Sequence, residues 1–127
     1  MEAAQHDYIL SITSHIPHLI AYNIVNTSLA IQEEKKLNIV KYSAGGLRDF
    51  TRIAASNPIM WRDVFMQNKK NTSKIIDKFI ENLEDLKSAI ENDNGRKLEE
   101  IFTKTKKIRK EIVKAGQDVK KPDFGRK

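Results

Sequence analysis

The chain has 127 residues, of which 39% are hydrophobic and 31% are charged, as in one globular domain with one core. It contains no cysteine, which excludes disulfides, thiolate metal sites and cysteine nucleophiles. No apolar run reaches the roughly 18 residues that span a bilayer, and the first residues lack the features of a signal peptide, so we expect a cytoplasmic protein.

The net charge of +6 is concentrated near the end of the chain. Residues 1–95 carry 11 Lys and Arg against 12 Asp and Glu, whereas residues 96–127 carry 12 against 5. Such a segment suits either an anionic partner such as nucleic acid or a solvated helix face and tail. Only Phe102 and Phe124 are available there for base stacking, which favours the solvated face.

The first predicted helix covers residues 3–32, because its apolar residues recur at spacings of three and four. Pro17 lies inside this pattern. Proline has no N–H and its ring clashes with the carbonyl of Thr13, so we expect a kink over residues 13–17. A short polar turn is predicted at residues 33–36.

The remaining apolar pattern is also helical. A second helix is predicted over residues 47–56, and a new one starts with Asn57 as N-cap and Pro58 in the first position. It continues to residue 90 with a slight break at residues 68–71, and a last helix follows the turn at 92–95 and stops at Gly116. No convincing strand appears, since residues 37–42 alternate only weakly. The predicted fold is an all-α bundle with a helical domain at 1–115 and a polar tail at 116–127.

His15 and His18 lie three residues apart on one helix face. Such a pair can bind a metal, but the spacing implies no carboxylate ligand nearby, and no metal is predicted. The alternative is a pair of hydrogen-bonded histidines inside a bundle. Because helix irregularities often border pockets, the neighbouring proline favours a place at the edge of a site.

A second cluster lies between Gly45 and Arg52. Arg48 and Arg52 are one helical turn apart, and Asp49 precedes Arg52 by three residues. One interpretation is a carboxylate or phosphate site with an arginine fork held by Asp49. The other is a surface salt bridge beside a glycine turn. Trp61, the only tryptophan, is expected to pack in a core or an interface.

Three segments together resemble one known family: SHIPHLIAYNIV, AGGLRDFTRIAASNPIMWRDVFMQN and AGQDVKKPDFGR. They are similar to the C-terminal helical domain of the prephenate/arogenate dehydrogenases of tyrosine biosynthesis, and the resemblance runs over residues 6–126. Members of that family begin with a Rossmann domain that holds NAD or NADP and carries the catalytic histidine. Nothing in this chain resembles that domain. The resemblance therefore implies a dimerisation and substrate-binding domain with no catalytic residue, which alone binds no cofactor and is inactive.

The resemblance also implies a substrate site. Its residues are Ser14, His15, His18, Gly45, Gly46, Asp49, Arg52 and Trp61. His18, with Ser14 or His15, would face prephenate or arogenate, and tyrosine is a further candidate ligand. Arg52 would engage a substrate carboxylate, the glycines would let the backbone approach the ligand, and Asp49 and Trp61 would line or gate the pocket. An arginine suits this task because its planar fork binds carboxylates in a bidentate way.

The expected partners are a second copy of the chain and the Rossmann domain of the parent enzyme, with no membrane. Two other functions stay open at this point. The chain could be a free-standing helical dimer that binds an aromatic ligand or a partner protein as a regulator. It could also bind nucleic acid through residues 96–127, which the weak stacking potential disfavours.

Overall fold

A computed structural model describes residues 2–42 and 45–116. These residues form helices, turns and loops, and no strand occurs in the two ranges, which confirms the all-α prediction. The chain divides into two compact units, an amino-terminal unit of residues 1–80 and a carboxyl-terminal unit of residues 81–127. The helices are α1 (Ala3–Leu10), α2 (Ile16–Lys35), α3 (Gly45–Phe50), α4 (Pro58–Gln67), α5 (Lys69–Glu91) and α6 (Gly95–Ala115).

Where the sequence predicted a kink over residues 13–17 of one helix, the structure has a π-helical turn, Ser11–His15, between α1 and α2. Pro17 is the second residue of α2, where it has no N–H to give to the preceding turn, and the backbone widens immediately before it. The prediction of a polar turn at residues 33–36 is wrong for residues 33–35, which are helical. The helix continues to Lys35 and ends at Lys36, which adopts a left-handed conformation with φ 58°.

The helix predicted over residues 47–56 differs at both ends. It begins at Gly45, ends at Phe50, and is followed by a 3₁₀ turn, Arg52–Ala54. Thr51 leaves helical geometry with φ −90° and ψ 2°, which separates the two pieces. Asn57 is extended, as the residue before a proline prefers.

The predicted start of α4 is confirmed. The Asn57 side chain accepts hydrogen bonds from the backbone N–H groups of Ile59, at 2.9 Å, and Met60, at 3.2 Å. The break predicted at residues 68–71 narrows to Asn68, since α4 ends at Gln67 and α5 begins at Lys69.

In the carboxyl-terminal unit, the turn predicted after α5 is present. Asp93 has φ 54°, and the side chain of Asn94 caps α6 by accepting from the N–H of Lys97. The last helix stops before Gly116, as predicted. Gly116 itself has φ −98°, however, and not the left-handed conformation expected of a glycine at the end of a helix. Residues 117–127 of the predicted tail lie outside the described ranges.

Burial is concentrated in the amino-terminal unit. Its buried residues within the described ranges are Ser11, Ile16, Ala21, Trp61 and Thr72, whereas the described part of the carboxyl-terminal unit buries Ala89 alone. The Tyr22 hydroxyl donates to the carbonyl oxygen of Ser56, at 3.0 Å, and so ties α2 to the segment before α4. Within residues 2–42 and 45–116, no helix is both long and apolar enough to cross a membrane.

Candidate functional site

His18 occupies the first turns of α2 and is half-buried. Its Nδ1 atom lies 2.8 Å from the carbonyl oxygen of Ser14. Since a carbonyl only accepts hydrogen bonds, Nδ1 carries the hydrogen, and Nε2 is left with the lone pair in the neutral ring. The imidazole also stacks on Trp61, with ring centroids 4.0 Å apart and planes 23° from parallel. The stack and the hydrogen bond fix the orientation of the ring.

Trp61 lies in the first turn of α4 with 8% of its surface exposed. It meets the edge of His15 with centroids 5.9 Å apart, and it packs against Phe65 at 5.7 Å. Trp61 is therefore packed inside the chain, and the rings that contact it are those of His15, His18 and Phe65. Its indole Nε1 is buried and has no hydrogen-bond partner among the described residues.

His15 ends the π turn and contacts a polar network. The side-chain amide of Asn68 lies with Nδ2 3.3 Å from His15 Nδ1 and also donates to the hydroxyl of Ser11. The Ser11 hydroxyl donates in turn to the carbonyl oxygen of Asp7, at 2.9 Å. Burial lowers the pKa of His15, the nearby His18 lowers it further, and Asp7 partly opposes both effects.

Sequence reasoning missed three members of this cluster: Ser11, Phe65 and Asn68. Asn68 carried a detectable signal, since it is a polar residue at the predicted break between α4 and α5. Asn68 contacts Ser11, which lies 57 positions earlier in the chain, and His15, which lies 53 positions earlier. Contacts at such separations leave no local pattern in the sequence.

Arg52 and Asp49 do not form the predicted braced pair. Both side chains are exposed, and neither takes part in an ion pair within the part of the chain that the structure describes. The reason is local: Asp49 belongs to α3, whereas Arg52 begins the 3₁₀ turn beyond Thr51, so the three-residue helical spacing between them is not kept. The carboxylate therefore does not hold the guanidinium.

Gly45 and Gly46 open α3 rather than preceding it. A Cβ atom added to either would meet no atom within 4 Å, so packing inside the chain does not require glycine there. Arg48 is exposed one turn later. The structure brings Ser14, His15, His18 and Trp61 together in one cluster, which we call the histidine–tryptophan wall. The charged residues of the Gly45–Arg52 cluster stay exposed on the surface. In the ranges 2–42 and 45–116, no group of three or more His, Asp or Glu side chains could hold a metal ion.

The described residues thus form an all-α scaffold that packs two histidines against a buried tryptophan. The chain belongs to the family described as "Prephenate dehydrogenase, dimerization domain", which it matches over residues 2–104. All eight candidate residues lie inside that match.

Curated relatives agree with this assignment. The chain is 38% identical over 109 residues to the cyclohexadienyl dehydrogenase of Zymomonas mobilis. The aligned region covers 86% of this chain and 37% of that protein. The chain is 32% identical to the prephenate dehydrogenase of Bacillus subtilis, over 86% of this chain and 29% of that one. The chain thus spans about a third of the length of these relatives and corresponds to their C-terminal part.

A solved structure shows the same fold. The prephenate dehydrogenase of Aquifex aeolicus, in complex with hydroxyphenyl propionate and NAD+, superposes with a TM-score of 0.81 at 40% identity. The superposition covers 88% of this chain and 39% of that one.

Proposed function

We propose that this chain is the dimerisation and substrate-binding domain of a cytoplasmic prephenate or arogenate dehydrogenase, and that the reaction served is NAD- or NADP-dependent oxidative decarboxylation. The observation that carries the proposal is the family match over residues 2–104, which includes every candidate residue. The relatives' names and the ligands of the Aquifex aeolicus structure supply the substrate class and the cofactor.

The histidine–tryptophan wall supports a substrate-facing role for His15, His18 and Trp61. A pocket for an unsaturated ring needs an apolar surface with a few polar atoms at fixed positions. The stacked pair of His18 and Trp61 gives a flat face, and both imidazoles are half-buried. Ser14 holds His18 through its backbone carbonyl.

Arg52 is proposed as the anchor for a substrate carboxylate. Its guanidinium is exposed and forms no ion pair within the described residues, so an incoming carboxylate would not have to displace an internal partner. Asp49 would line the substrate pocket near Arg52, and Gly45 and Gly46 would allow a ligand close to the backbone.

The proposal predicts that the nicotinamide cofactor is bound by a separate Rossmann domain. Isothermal calorimetry of this chain with NAD+ should therefore show no binding at micromolar concentrations. Micromolar binding would contradict the division of roles between the two domains.

The direct test is a chimera. This chain would replace the matching segment of the Zymomonas mobilis cyclohexadienyl dehydrogenase, to which it is 38% identical. We expect prephenate- or arogenate-dependent reduction of the cofactor by the chimera and none by the relative truncated before that segment. A chimera that is folded and dimeric but turns over neither substrate would contradict the proposal.

A regulator that binds an aromatic ligand is the second candidate, because the histidine–tryptophan wall would suit an aromatic ring without any catalysis. Calorimetry with tyrosine separates the two, since a regulator binds the amino acid without the Rossmann domain.

A further inference from the structure

The contacts of the Asn68 amide favour one of its two orientations, the one with the NH₂ group towards Ser11 and the Asp7 carbonyl oxygen. The Ser11 hydroxyl must donate to the Asp7 carbonyl oxygen, because that oxygen can only accept. Ser11 Oγ therefore offers its lone pairs to Asn68, which places the amide NH₂ at this position. On the other side, Asn68 Oδ1 accepts from the side-chain amide of Asn71, at 3.1 Å.

This orientation determines the tautomer of His15. The same NH₂ group lies 3.3 Å from His15 Nδ1, so that nitrogen must accept the hydrogen bond. A proton on Nδ1 would point at the Asn68 N–H. His15 is therefore neutral with its hydrogen on Nε2, whereas His18 carries its hydrogen on Nδ1 because that atom faces the Ser14 carbonyl.

We propose that Asn68 is a positioning residue that holds His15 as the Nε2–H tautomer, so that the two imidazoles of the wall carry opposite tautomers. The wall then offers one hydrogen-bond donor, His15 Nε2–H, and one acceptor, His18 Nε2. A ligand hydroxyl, which both donates and accepts, is the group suited to such a surface, whereas a carboxylate would meet a lone pair at His18. That these atoms face a ligand rests on the proposed function, but the tautomers do not.

The charged groups near His15 do not change the tautomer that the Asn68 amide imposes on this ring. Asp7 on α1 favours a protonated ring, and His18 on α2 disfavours it. From α4 the ring meets Trp61 and Phe65, neither of which supplies a charge. Asn68, between α4 and α5, and Asn71, in the first turn of α5, are neutral amides.

The first test needs no substitution. The chain contains only three histidines, so long-range ¹H–¹⁵N correlation spectra of the imidazoles, with ¹⁵N-histidine, resolve each ring. At neutral pH and without ligand, we expect His15 to show the Nε2–H pattern and His18 the Nδ1–H pattern. The same tautomer in both rings, or an even mixture at His15, would overturn the proposal.

The second test changes the amide. Asn68→Asp replaces the NH₂ donor by a carboxylate oxygen, which should place a proton on His15 Nδ1 and raise its pKa by about one unit or more. Asn26→Asp is the matched control, because Asn26 is exposed on α2, and it should leave the His15 titration unchanged. Circular dichroism checks the fold of both variants.

If Asn68→Asp folds and His15 keeps its tautomer and titration, Asn68 does not position the ring. If it does not fold, the spectrum of the unsubstituted chain still decides the matter. An inactive chimera with opposite tautomers intact would refute the proposed function and leave this inference standing.

Discussion

The two units of this chain use side chains differently. In the amino-terminal unit, polar and aromatic side chains from distant helices meet in a specific network, from Ser11 and His15 to Trp61 and Asn68. In the carboxyl-terminal unit, the described residues bury only Ala89. Large apolar side chains are exposed in both units, including Tyr42 at 76% in the amino-terminal unit and Ile112 at 59% in the carboxyl-terminal unit.

The carboxyl-terminal unit has an open groove, lined by apolar residues that are half-buried or exposed. Its volume is about 600 Å³, and its apolar lining is Leu86, Ile101, Ile108 and Ile112, with Lys97 and Arg109 beside them. Two amphipathic helices cannot bury such a face by themselves. We expect a second copy of the chain to cover this groove, since the family that matches residues 2–104 is described as a dimerization domain. We therefore expect the amino-terminal unit to carry the ligand contacts and the groove of the carboxyl-terminal unit to take part in assembly.

The largest effect is expected at Arg52. In the active chimera, Arg52→Ala should lower kcat/KM by about 30- to 1,000-fold, mainly through KM, because losing a charge-assisted pair costs about 2–4 kcal/mol. Arg52→Lys should recover part of this, since lysine lacks the bidentate fork. Arg48→Ala is the matched control and should have a much smaller effect. A folded Arg52→Ala chimera whose KM stays within about twofold would show that the arginine is not the anchor.

The next effect concerns assembly. We expect a homodimer, and Ile112→Glu should weaken its association by at least about 100-fold, because each copy would place a charge where about 1.5–3 kcal/mol of apolar burial is lost. Since Ile112 is 59% exposed, the substitution should not unfold the chain. Sedimentation equilibrium measures the change, with Thr103→Glu on the same helix, outside the groove lining, as control. Equal association of both variants would exclude this groove from the interface.

Helix caps provide a smaller comparison between the units. Asn57 accepts two backbone hydrogen bonds and Asn94 accepts one, so Asn57→Ala should destabilise the chain by about 1 kcal/mol and Asn94→Ala by about half as much. Urea unfolding of both variants measures the difference. A larger loss of stability from Asn94→Ala than from Asn57→Ala would contradict the expectation that the number of capping hydrogen bonds sets the effect.

The smallest effect is the pH dependence contributed by His15. Its pKa is lowered in the folded chain, so the unfolded chain binds the proton more readily. Stability should therefore be constant above the ordinary histidine pKa of about 6.5 and fall as the pH drops below it. His15→Gln should reduce this fall in urea titrations between about pH 7 and 5. A variant with an unchanged slope would contradict the neutral state assigned to His15.

Local patterns predicted much of this fold and less of the site. The Asn57–Pro58 start, the break near Asn68 and the irregularity beside Pro17 follow from backbone chemistry, which acts between neighbours. The form of the irregularity, a π turn, and the early end of α3 depend on packing that no short pattern records. Helical spacing predicted that Asp49 braces Arg52, and this was wrong because the helix ends between them.

The histidine pair was visible in the sequence, but its environment was not. Trp61 and Asn68 reach His15 from about 50 residues away, and an amide donor and an indole face are not implied by H-x-x-H spacing. Both residues lie within AGGLRDFTRIAASNPIMWRDVFMQN, one of the segments that carry the family resemblance. Their joint role emerges only once the helices are folded together.

The division that we expect, between a ligand-binding unit and an assembly unit, can be tested in one titration. The ¹⁵N-labelled chain would be titrated with hydroxyphenyl propionate to millimolar concentrations, since only one wall of the pocket is present and binding should be weak. The account predicts amide shifts around residues 11–22 and 45–68 and on the Trp61 indole, with residues 81–116 unchanged. Shifts confined to the groove residues Leu86, Ile101 and Ile112, with none at the histidine–tryptophan wall, would contradict it.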